Sequence, residues 1–314
     1  MTEKPNILVI VSEAGESIPA LDALGSAGLR ADEFYPSGAP AGANWGSLLT
    51  GMHPVRLGMV SEGEGMELPL DASVIAESFL SAGYTTCTFD HLRRRWHWFG
   101  TGFEYYIDPG VRLGNAPAAA EINARAIPWL RAHRDEPLFV CVRYGGESGP
   151  AIAQLVSALD DLRLSQATLV AALRTSGLGK GELILRWPGE IPAGTKFAGR
   201  IQTHDLAPAL LEAAGLNAPA SMDGRSFWKA WLAGAAWRES EPLYGVDCGP
   251  PQTWSMIAGQ SALLATIGAD GNLRQKSAAG VDPQMAGSML AQLKAWRKER
   301  LEEWARMAES LEEV

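Results

Sequence analysis

Cysteine and histidine are scarce in this chain of 314 residues, which has three of the first and five of the second. The cysteines, Cys87, Cys141 and Cys248, are odd in number and lie far apart. Cys87 and Cys141 fall in apolar, strand-like runs, where a buried reduced thiol is the usual state. The pattern therefore favours reduced thiols in a cytoplasmic protein.

Positive charge and long apolar runs are also in short supply. The chain has 27 basic against 36 acidic residues, a formal net charge of -9. Nucleic acids and anionic membrane surfaces attract basic faces, so we predict neither as a partner. No apolar stretch is long enough to span a bilayer, and residues 7–11 are too few for the apolar core of a secretory signal. A cytoplasmic location is the resulting expectation.

What the chain does contain is an alternation of short apolar runs with helical patterns. Continuous apolar runs, typical of parallel strands covered on both faces, lie at residues 6–11, 138–142, 168–173 and 183–187. Helical spacing is found at residues 71–81, 118–132 and 152–164. This alternation predicts an α/β protein with a doubly wound, mostly parallel sheet. Binding sites in such sheets lie beyond the carboxyl ends of the strands.

The character of the sequence changes near residue 237, where shorter, Trp-rich runs with turn signals begin. We therefore predict an α/β domain over residues 1–236 and a small C-terminal α+β lobe over residues 237–314. The lobe should end in an amphipathic helix, because Asp282 suits the cap and Pro283 the first helical position. Another helix is predicted to begin with Asp205 as its N-cap.

Several collinear segments resemble the sulfatase family of the alkaline phosphatase superfamily. The Pro-Asn-Ile-Leu of residues 5–8 is similar to the sulfatase opening, and the Leu-Leu-Thr-Gly of residues 48–51 is similar to the end of the family's nucleophile motif. Residues 183–194 resemble a sulfatase strand and turn nearly residue for residue, and residues 204–215 and 223–226 complete the set. The resemblance implies the α/β fold of sulfatases and alkaline phosphatases.

The nucleophile motif of the family reads Cys/Ser-x-Pro-Ser-Arg-x-x-Leu-Leu-Thr-Gly, and its first residue becomes a formylglycine whose hydrate attacks sulfur. Counting back from residues 48–51, the resemblance places Ala41 at the nucleophile and Trp45 at the Arg. A methyl group can neither be oxidised to an aldehyde nor act as a nucleophile, and Trp45 replaces a cation with a neutral ring. We therefore expect no catalytic residue in this motif.

The resemblance also implies a divalent cation, held in relatives by an opening Asp-Asp pair and a second carboxylate cluster. Here the opening pair corresponds to Glu13 and Ala14, and residues 174–177, after the third predicted strand, read Arg-Thr-Ser-Gly without an Asp. A hard divalent cation prefers about six oxygen ligands. One carboxylate falls short of that number, so we predict no metal ion and no other cofactor.

Five polar residues near the altered motifs define what we call the residual pocket: Glu13, Asn44, Ser47, Asp90 and His53. Their side chains are candidates for binding a small anion or for new chemistry. Residues 90–98 also contain three arginines, two histidines and two tryptophans. That run predicts either a basic rim or a solvated loop whose tryptophans pack inward.

Two functions remain open from the sequence. The first is a non-catalytic sulfatase-like protein, a pseudoenzyme, that forms a homo-oligomer or pairs with an active sulfatase homologue. The second is a repurposed, metal-independent hydrolase or transferase that acts on a sulfate or phosphate ester through the residual pocket. We favour the first, because the motif-matched positions supply no pair of nucleophile and base.

Overall fold

The computed structural model describes residues 4–13, 18–60, 67–110, 117–238 and 240–312. The strands in these ranges are β1 (Asn6–Ser12), β2 (Leu29–Tyr35), β3 (Gly38–Ala39), β4 (Thr85–Phe89), β5 (Tyr105–Ile107), β6 (Leu138–Tyr144), β7 (Thr168–Arg174), β8 (Glu182–Arg186), β9 (Thr195–Gln202), β10 (Leu243–Asp247), β11 (Thr253–Ala258), β12 (Ser261–Ile267) and β13 (Leu273–Ala279). The helices are α1 (Pro19–Ser26), α2 (Ala41–Thr50), α3 (Ile75–Ser81), α4 (Ala119–Ala132), α5 (Gly149–Asp161), α6 (Leu206–Ala213), α7 (Trp228–Leu232) and α8 (Pro283–Glu312).

Eight strands form the main sheet in the order β5-β4-β6-β1-β7-β8-β2-β9. All neighbours in it are parallel except β8, which runs antiparallel to both β7 and β2. The predicted mostly parallel α/β sheet is therefore confirmed, but the parallel direction expected for residues 183–187 was wrong. Only residues 175–181 join β7 to β8, and a parallel crossover needs about a dozen residues or more. The chain must therefore turn straight back.

Both faces of this sheet are covered, as alternate side chains of β1 illustrate. Ile7, Val9 and Val11 belong to a core that includes residues of α2, α3 and α6. Leu8 and Ile10 belong to a second core with residues of α1, α4 and α5. Because successive strand residues point to opposite faces, a continuous apolar run is what a sheet between two helical layers requires.

A second sheet has the order β13-β12-β11-β10-β3. Its strand β3 comes from the N-terminal part of the chain and pairs in parallel with β10. Helix α8 contacts β11, β12 and β13, and the backbone N–H of Met285 donates to Asp282 Oδ1 at 2.8 Å, which confirms the predicted cap. Leu293 of α8 lies in the same core as Ile7 of β1, so the packing is continuous. The division at residue 237 stays a prediction.

Two helix starts differ from the sequence expectation. Helix α3 begins at Ile75 rather than at residue 71. Asp205 precedes α6 but makes no side-chain cap bond to it. Its buried carboxylate instead accepts from the backbone N–H of Gln202 and Arg225 and pairs with Arg238 at 3.0 Å. The Asp205 carboxylate therefore connects three segments of the chain, a role that the local sequence does not indicate.

The remaining sequence expectations concern thiols and membranes. All three cysteines are buried, and none of them forms a disulfide within the described residues. Among the described residues, no helix combines the length and the apolar character that crossing a membrane requires.

Candidate functional site

The carboxyl ends of three neighbouring parallel strands bring opposite charges together. β4, β6 and β1 lie side by side, and the residues at or just beyond their ends are Asp90, Arg143 and Glu13. This is the edge of a doubly wound sheet where binding sites usually form. We call this edge, together with the start of α2, the cleft.

Glu13 and Arg143 form a paired contact in the cleft. Arg143 Nε donates to Glu13 Oε1 at 2.8 Å, and Arg143 Nη2 donates to Oε2 at 2.6 Å. Two parallel bonds of this kind are the geometry of an ionised carboxylate held by a guanidinium. Arg143 is only 4% exposed. Burial raises the pKa of Glu13, and the guanidinium of Arg143 opposes that shift.

Asp90 is the second carboxylate of the cleft, and it is fully buried. Its oxygens accept from the Thr88 hydroxyl at 2.9 Å, from the Leu92 backbone N–H at 2.7 Å and from the Tyr106 hydroxyl. Burial raises the pKa of Asp90, while these three bonds and the nearby charge of Arg143 lower it. The carboxylate therefore serves to hold the turn after β4 in place.

A divalent cation does not fit this arrangement. The guanidinium of Arg143 already supplies positive charge to Glu13, and the oxygens of Asp90 are engaged with protein donors. Within the described ranges, no group of three or more His, Cys, Asp or Glu side chains could hold a metal ion. Ala14, the second position of the opening pair, lies outside the described residues. The absence of a metal ion stays a prediction from the sequence. The residues at this edge do not fit a metal ion, so no chemical step is assigned to one.

The start of helix α2 carries the position of the family nucleophile, Ala41, which is half-buried. The next residue is Gly42, and a Cβ atom placed on it would meet the ring of Trp96 at 2.3 Å. Trp96 is 7% exposed and therefore packs its ring directly on the backbone of Gly42. Only glycine leaves room for that contact, which lies one residue from the position of the family nucleophile.

The basic run at residues 90–98 folds into two short 3₁₀ turns, at Leu92–Arg94 and His97–Gly100, with Trp96 between them. Trp96 and Trp98 are both buried. The arginines have local partners: Arg94 pairs with Asp108 at 2.6 Å, and the guanidinium of Arg93 lies over the Tyr106 ring. The tryptophans therefore pack inward while the three arginines are exposed, so the basic rim stays a prediction.

The five residues of the residual pocket do not converge on one point. Glu13 and Asp90 lie near the same guanidinium, that of Arg143. Asn44 and Ser47 lie on buried sides of α2, where Asn44 Oδ1 accepts from the Thr203 hydroxyl at 2.5 Å. Ser47 Oγ has no hydrogen-bond partner among the described residues. No base therefore stands beside the one buried hydroxyl in this set.

His53 lies three residues beyond the end of α2, in a separate cavity that it shares with His204. The centroids of the two rings are 5.7 Å apart. Burial, and then the neighbouring His204, lower the pKa of His53 to about 3. Burial also lowers the pKa of His204, with Asp205 opposing the shift and Arg238 adding to it. Both imidazoles are therefore neutral at pH 7.

Sequence reasoning missed three residues that define these sites: Arg143, Trp96 and His204. Arg143 lies at the carboxyl end of a predicted strand, beside Glu13. A charged residue in that place could have been predicted to belong to the site, because sites of such sheets lie beyond the strand ends. Trp96 gave no such signal, since its contact with Gly42 depends on how the 3₁₀ turns fold. His204 directly precedes Asp205 in the chain, and its local sequence does not indicate that its ring lines a cavity.

The architecture is that of sulfatases and related phosphohydrolases. The fold is similar to a phosphonate monoester hydrolase from Silicibacter pomeroyi, with a TM-score of 0.71, 15% identity and coverage of 96% of this chain and 95% of that chain. It is also similar to a protein solved in complex with its substrate D-glucosamine-2-N,6-O-disulfate (TM-score 0.71, 12% identity, 98% and 99% coverage). A third similar structure is an alkaline phosphatase superfamily protein from Vibrio parahaemolyticus (TM-score 0.66, 15% identity, 97% and 89% coverage).

Sequence comparison adds a family-model match over part of the chain. Residues 179–244 match the family model described as N-sulphoglucosamine sulphohydrolase, C-terminal. That segment runs from the turn before β8 into β10 and contains the strand and turn at residues 183–194 that resemble sulfatases. No curated protein matches the chain in sequence. The fold is therefore that of sulfatase-like proteins, as the sequence predicted, and residues 179–244 carry the similarity to a sulphohydrolase family in sequence.

Proposed function

We propose that this chain is a non-catalytic sulfatase-like protein, a pseudoenzyme that works as a binding or partner subunit. The observation that carries the proposal is the packing of Trp96 on Gly42, directly beside Ala41. The indole covers the helix start on the side of Gly42, next to the position of the family nucleophile. Ala41 itself offers only a methyl group to a reacting centre.

The charges of the cleft support the same proposal. Glu13 is bound by Arg143 through both oxygens, and Asp90 is bound by three protein donors. At the end of the next strand, Arg174 pairs with Glu182 at 2.7 Å. Because these charged groups are paired with one another, few of their hydrogen-bonding atoms remain to bind a reacting ester. Nucleophile, supporting cation and metal each contribute several kcal/mol to transition-state stabilisation, and their joint loss leaves no effective catalyst.

The second part of the proposal, that the chain acts as a partner subunit, rests on the sequence resemblance. A sulfatase fold that has lost catalysis still has its outer surface, and sulfatase relatives commonly associate. Self-association into a homo-oligomer is the first form of partnership that we propose, and pairing with an active homologue is the second. Sedimentation equilibrium at several protein concentrations should give a mass above 33.6 kDa, the mass of one chain. A monomer at every concentration leaves the active homologue as the partner to be tested by co-purification.

Catalysis is tested with purified protein and a panel of chromogenic aryl sulfates, phosphate monoesters and phosphate diesters. We expect no turnover above the rate without protein, and none after Ala41→Cys, because Trp96 and Arg143 would still fill the cleft. The matched variants are Glu13→Gln, inside the cleft, and Glu147→Gln, an exposed carboxylate shortly after β6. Turnover that is lost in Glu13→Gln and kept in Glu147→Gln would replace the pseudoenzyme with the repurposed hydrolase.

A further inference from the structure

Three charged side chains lie next to one another in the cleft, one on each of three neighbouring strands. Across the sheet the order is β4, β6 and β1, with Asp90, Arg143 and Glu13 at or just after the strand ends. The charges therefore alternate: a carboxylate, a guanidinium and a second carboxylate. We call these three residues the charged row.

Strand register places the charged row on one face of the sheet. Val11 pairs with Arg143 and belongs to the core that contains residues of α2, so Arg143 lies on the α2 side. Glu13 follows Val11 by two residues and shares that side. Phe89 belongs to the opposite core, and the alternation of side chains puts the next residue, Asp90, on the α2 side as well.

The guanidinium in the middle of the row is directed at the groups around it. Its Nε and Nη2 donate to the two oxygens of Glu13, at 2.8 and 2.6 Å. Nη1 lies 3.5 Å from His91 Nδ1, which is the acceptor because arginine carries donors only. Burial raises the pKa of Asp90, and the charge of Arg143 is one of the effects that oppose this rise, so it acts on both carboxylates.

The charged row is withdrawn from water. The side chain of Arg143 is 4% exposed and that of Glu13 is 20% exposed, while Asp90 is fully buried. Buried charges are stable only when an opposite charge or hydrogen bonds replace their hydration. The two carboxylates therefore need a cation between them, and Arg143 supplies one that is covalently part of β6.

A divalent cation and this guanidinium compete for the same carboxylate. Glu13 stands at the first of the carboxylates that the resemblance assigns to a divalent cation. An ion that enters beside Glu13 would have to displace the guanidinium or meet its positive charge at close range. A free ion is also bound only as far as its concentration allows, whereas a tethered guanidinium is present in every molecule.

We propose that Arg143 is a built-in cation that takes the place of a divalent metal ion in the cleft. Arg143 is a positioning residue, which holds Glu13 and Asp90 by its charge, and the folded chain needs neither calcium nor magnesium. The inference goes beyond the proposed function, because it concerns how the cleft balances its charge and not whether the cleft turns over an ester.

The first test is thermal unfolding of the wild-type chain, followed by circular dichroism. The midpoint should be the same in EDTA, in millimolar calcium chloride and in millimolar magnesium chloride. The physical reason is that an ion shifts the midpoint only when it binds the folded and unfolded chains differently.

The second test replaces the built-in cation by a free one. Arg143→Ala leaves Glu13 beside a space of the size of a guanidinium ion. Guanidinium chloride at ten times its dissociation constant, in the millimolar range, should raise the midpoint of this variant by about 2 °C. Potassium chloride at the same concentration should not, because potassium cannot donate two hydrogen bonds to a carboxylate.

Two variants control this rescue. Adding Glu13→Gln to Arg143→Ala should abolish the rise, because the carboxylate that binds the guanidinium ion is gone. Arg134→Ala, at an exposed position, should respond to guanidinium chloride no more than the wild-type chain does. If Arg143→Ala does not fold, Arg143→Lys and Arg143→Met decide the question: the lysine keeps a cation and should melt at the higher temperature.

Four outcomes would overturn the proposal. The first is a wild-type chain that calcium or magnesium stabilises saturably, or that EDTA destabilises. The second is an Arg143→Ala chain that responds alike to guanidinium and potassium chloride. The third is a rise that persists after Glu13→Gln, and the fourth is an Arg143→Lys chain that melts no higher than Arg143→Met. Melting and ester turnover are separate measurements, so either proposal can fail while the other stands.

Discussion

The two ends of helix α2 differ in how closely the residues around them are packed. At its start, the ring of Trp96 packs on Gly42, and the nearby carboxylates Glu13 and Asp90 are engaged by Arg143 and by local donors. Beyond its end, a cavity of about 270 Å³ remains, lined by neutral imidazoles and paired charges. The carboxylates near the start of α2 are thus paired with protein donors, whereas space remains beyond its end.

Resemblance in sequence and remaining space point to different places in this protein. Similarity to sulfatases points to the start of α2, where Trp96 packs on Gly42 and the carboxylates are engaged by protein donors. The cavity lies beyond the other end of the helix, where its lining includes His53 and His204.

The largest effect that tests this comparison is expected from Trp96→Ala. Removing a buried indole should lower the free energy of unfolding by about 4 kcal/mol, through lost burial and the space left behind. Gly42→Ala should also destabilise the wild-type chain, because the new methyl group would overlap the Trp96 ring. In the Trp96→Ala background the same change should be neutral or stabilising, since alanine favours a helix over glycine by about 1 kcal/mol.

Urea denaturation of the four proteins gives the coupling energy between the two sites, which we expect to be about 2 kcal/mol. Gly287→Ala in α8 is the matched control, because no atom lies within 4 Å of the added methyl group. That substitution should be independent of Trp96. Additive effects of Gly42→Ala and Trp96→Ala would show that the start of α2 is not filled in this way.

A somewhat smaller effect is expected from Arg143→Met. It leaves the carboxylates of Glu13 and Asp90 without their buried cation, and removing one partner of a buried pair costs about 3 kcal/mol of unfolding free energy. Adding Glu13→Gln should recover part of that loss, because the orphaned charge disappears. Arg134→Met, at an exposed position, is the control and should change stability by less than about 0.5 kcal/mol. Equal effects of Arg143→Met and Arg134→Met would contradict the ion pair in the cleft.

The smallest effect is a pH dependence of opposite sign at the two ends. The folded state lowers the pKa of His53 from 6.5 to about 3, so its contribution to stability is present above pH 6.5 and lost as the pH falls toward 3. At pH 5 the loss is about 2 kcal/mol, at 1.36 kcal/mol per pH unit. Glu13 and Asp90 have raised pKa values, so their contributions are present at low pH and lost as the pH rises through those values.

Urea denaturation at pH 7 and pH 5 measures this dependence. His53→Asn should flatten the acid loss of stability by about 2 kcal/mol relative to the wild-type chain. His97→Asn removes an imidazole that is 65% exposed and should leave the acid loss as it is. An unchanged acid loss in His53→Asn would mean that this imidazole is not held neutral by the fold.

Much of the fold followed from local patterns in the sequence. Runs of five or six mostly apolar residues predicted β1, β6 and β7, since a strand between two helical layers must be apolar on both faces. Asp282 and Pro283 predicted the start of α8, because capping is a local interaction. The direction of β8 was missed, although the short link between β7 and β8 was visible and excludes a parallel crossover.

The candidate site was less predictable, for a physical reason. Ala41 and Trp45 could be placed by counting from residues 48–51, and this showed which chemistry the motif lacks. Counting along the motif could not show that Trp96 packs beside the start of α2, because its contact with Gly42 arises from tertiary packing. Likewise, of the residual pocket only Glu13 and Asp90 lie near a common partner, and His53 belongs to a different cavity.

Residue types and their spacing along the chain were enough to predict the α/β class and the resemblance to sulfatases, and to place Ala41 at the position of the family nucleophile. The pairing of Arg143 with Glu13 across 130 positions and the place of His204 in a cavity beside α8 emerge only in the folded chain. Such contacts join residues that are distant in sequence, and their energy depends on burial and geometry. Neither quantity exists until the chain is folded.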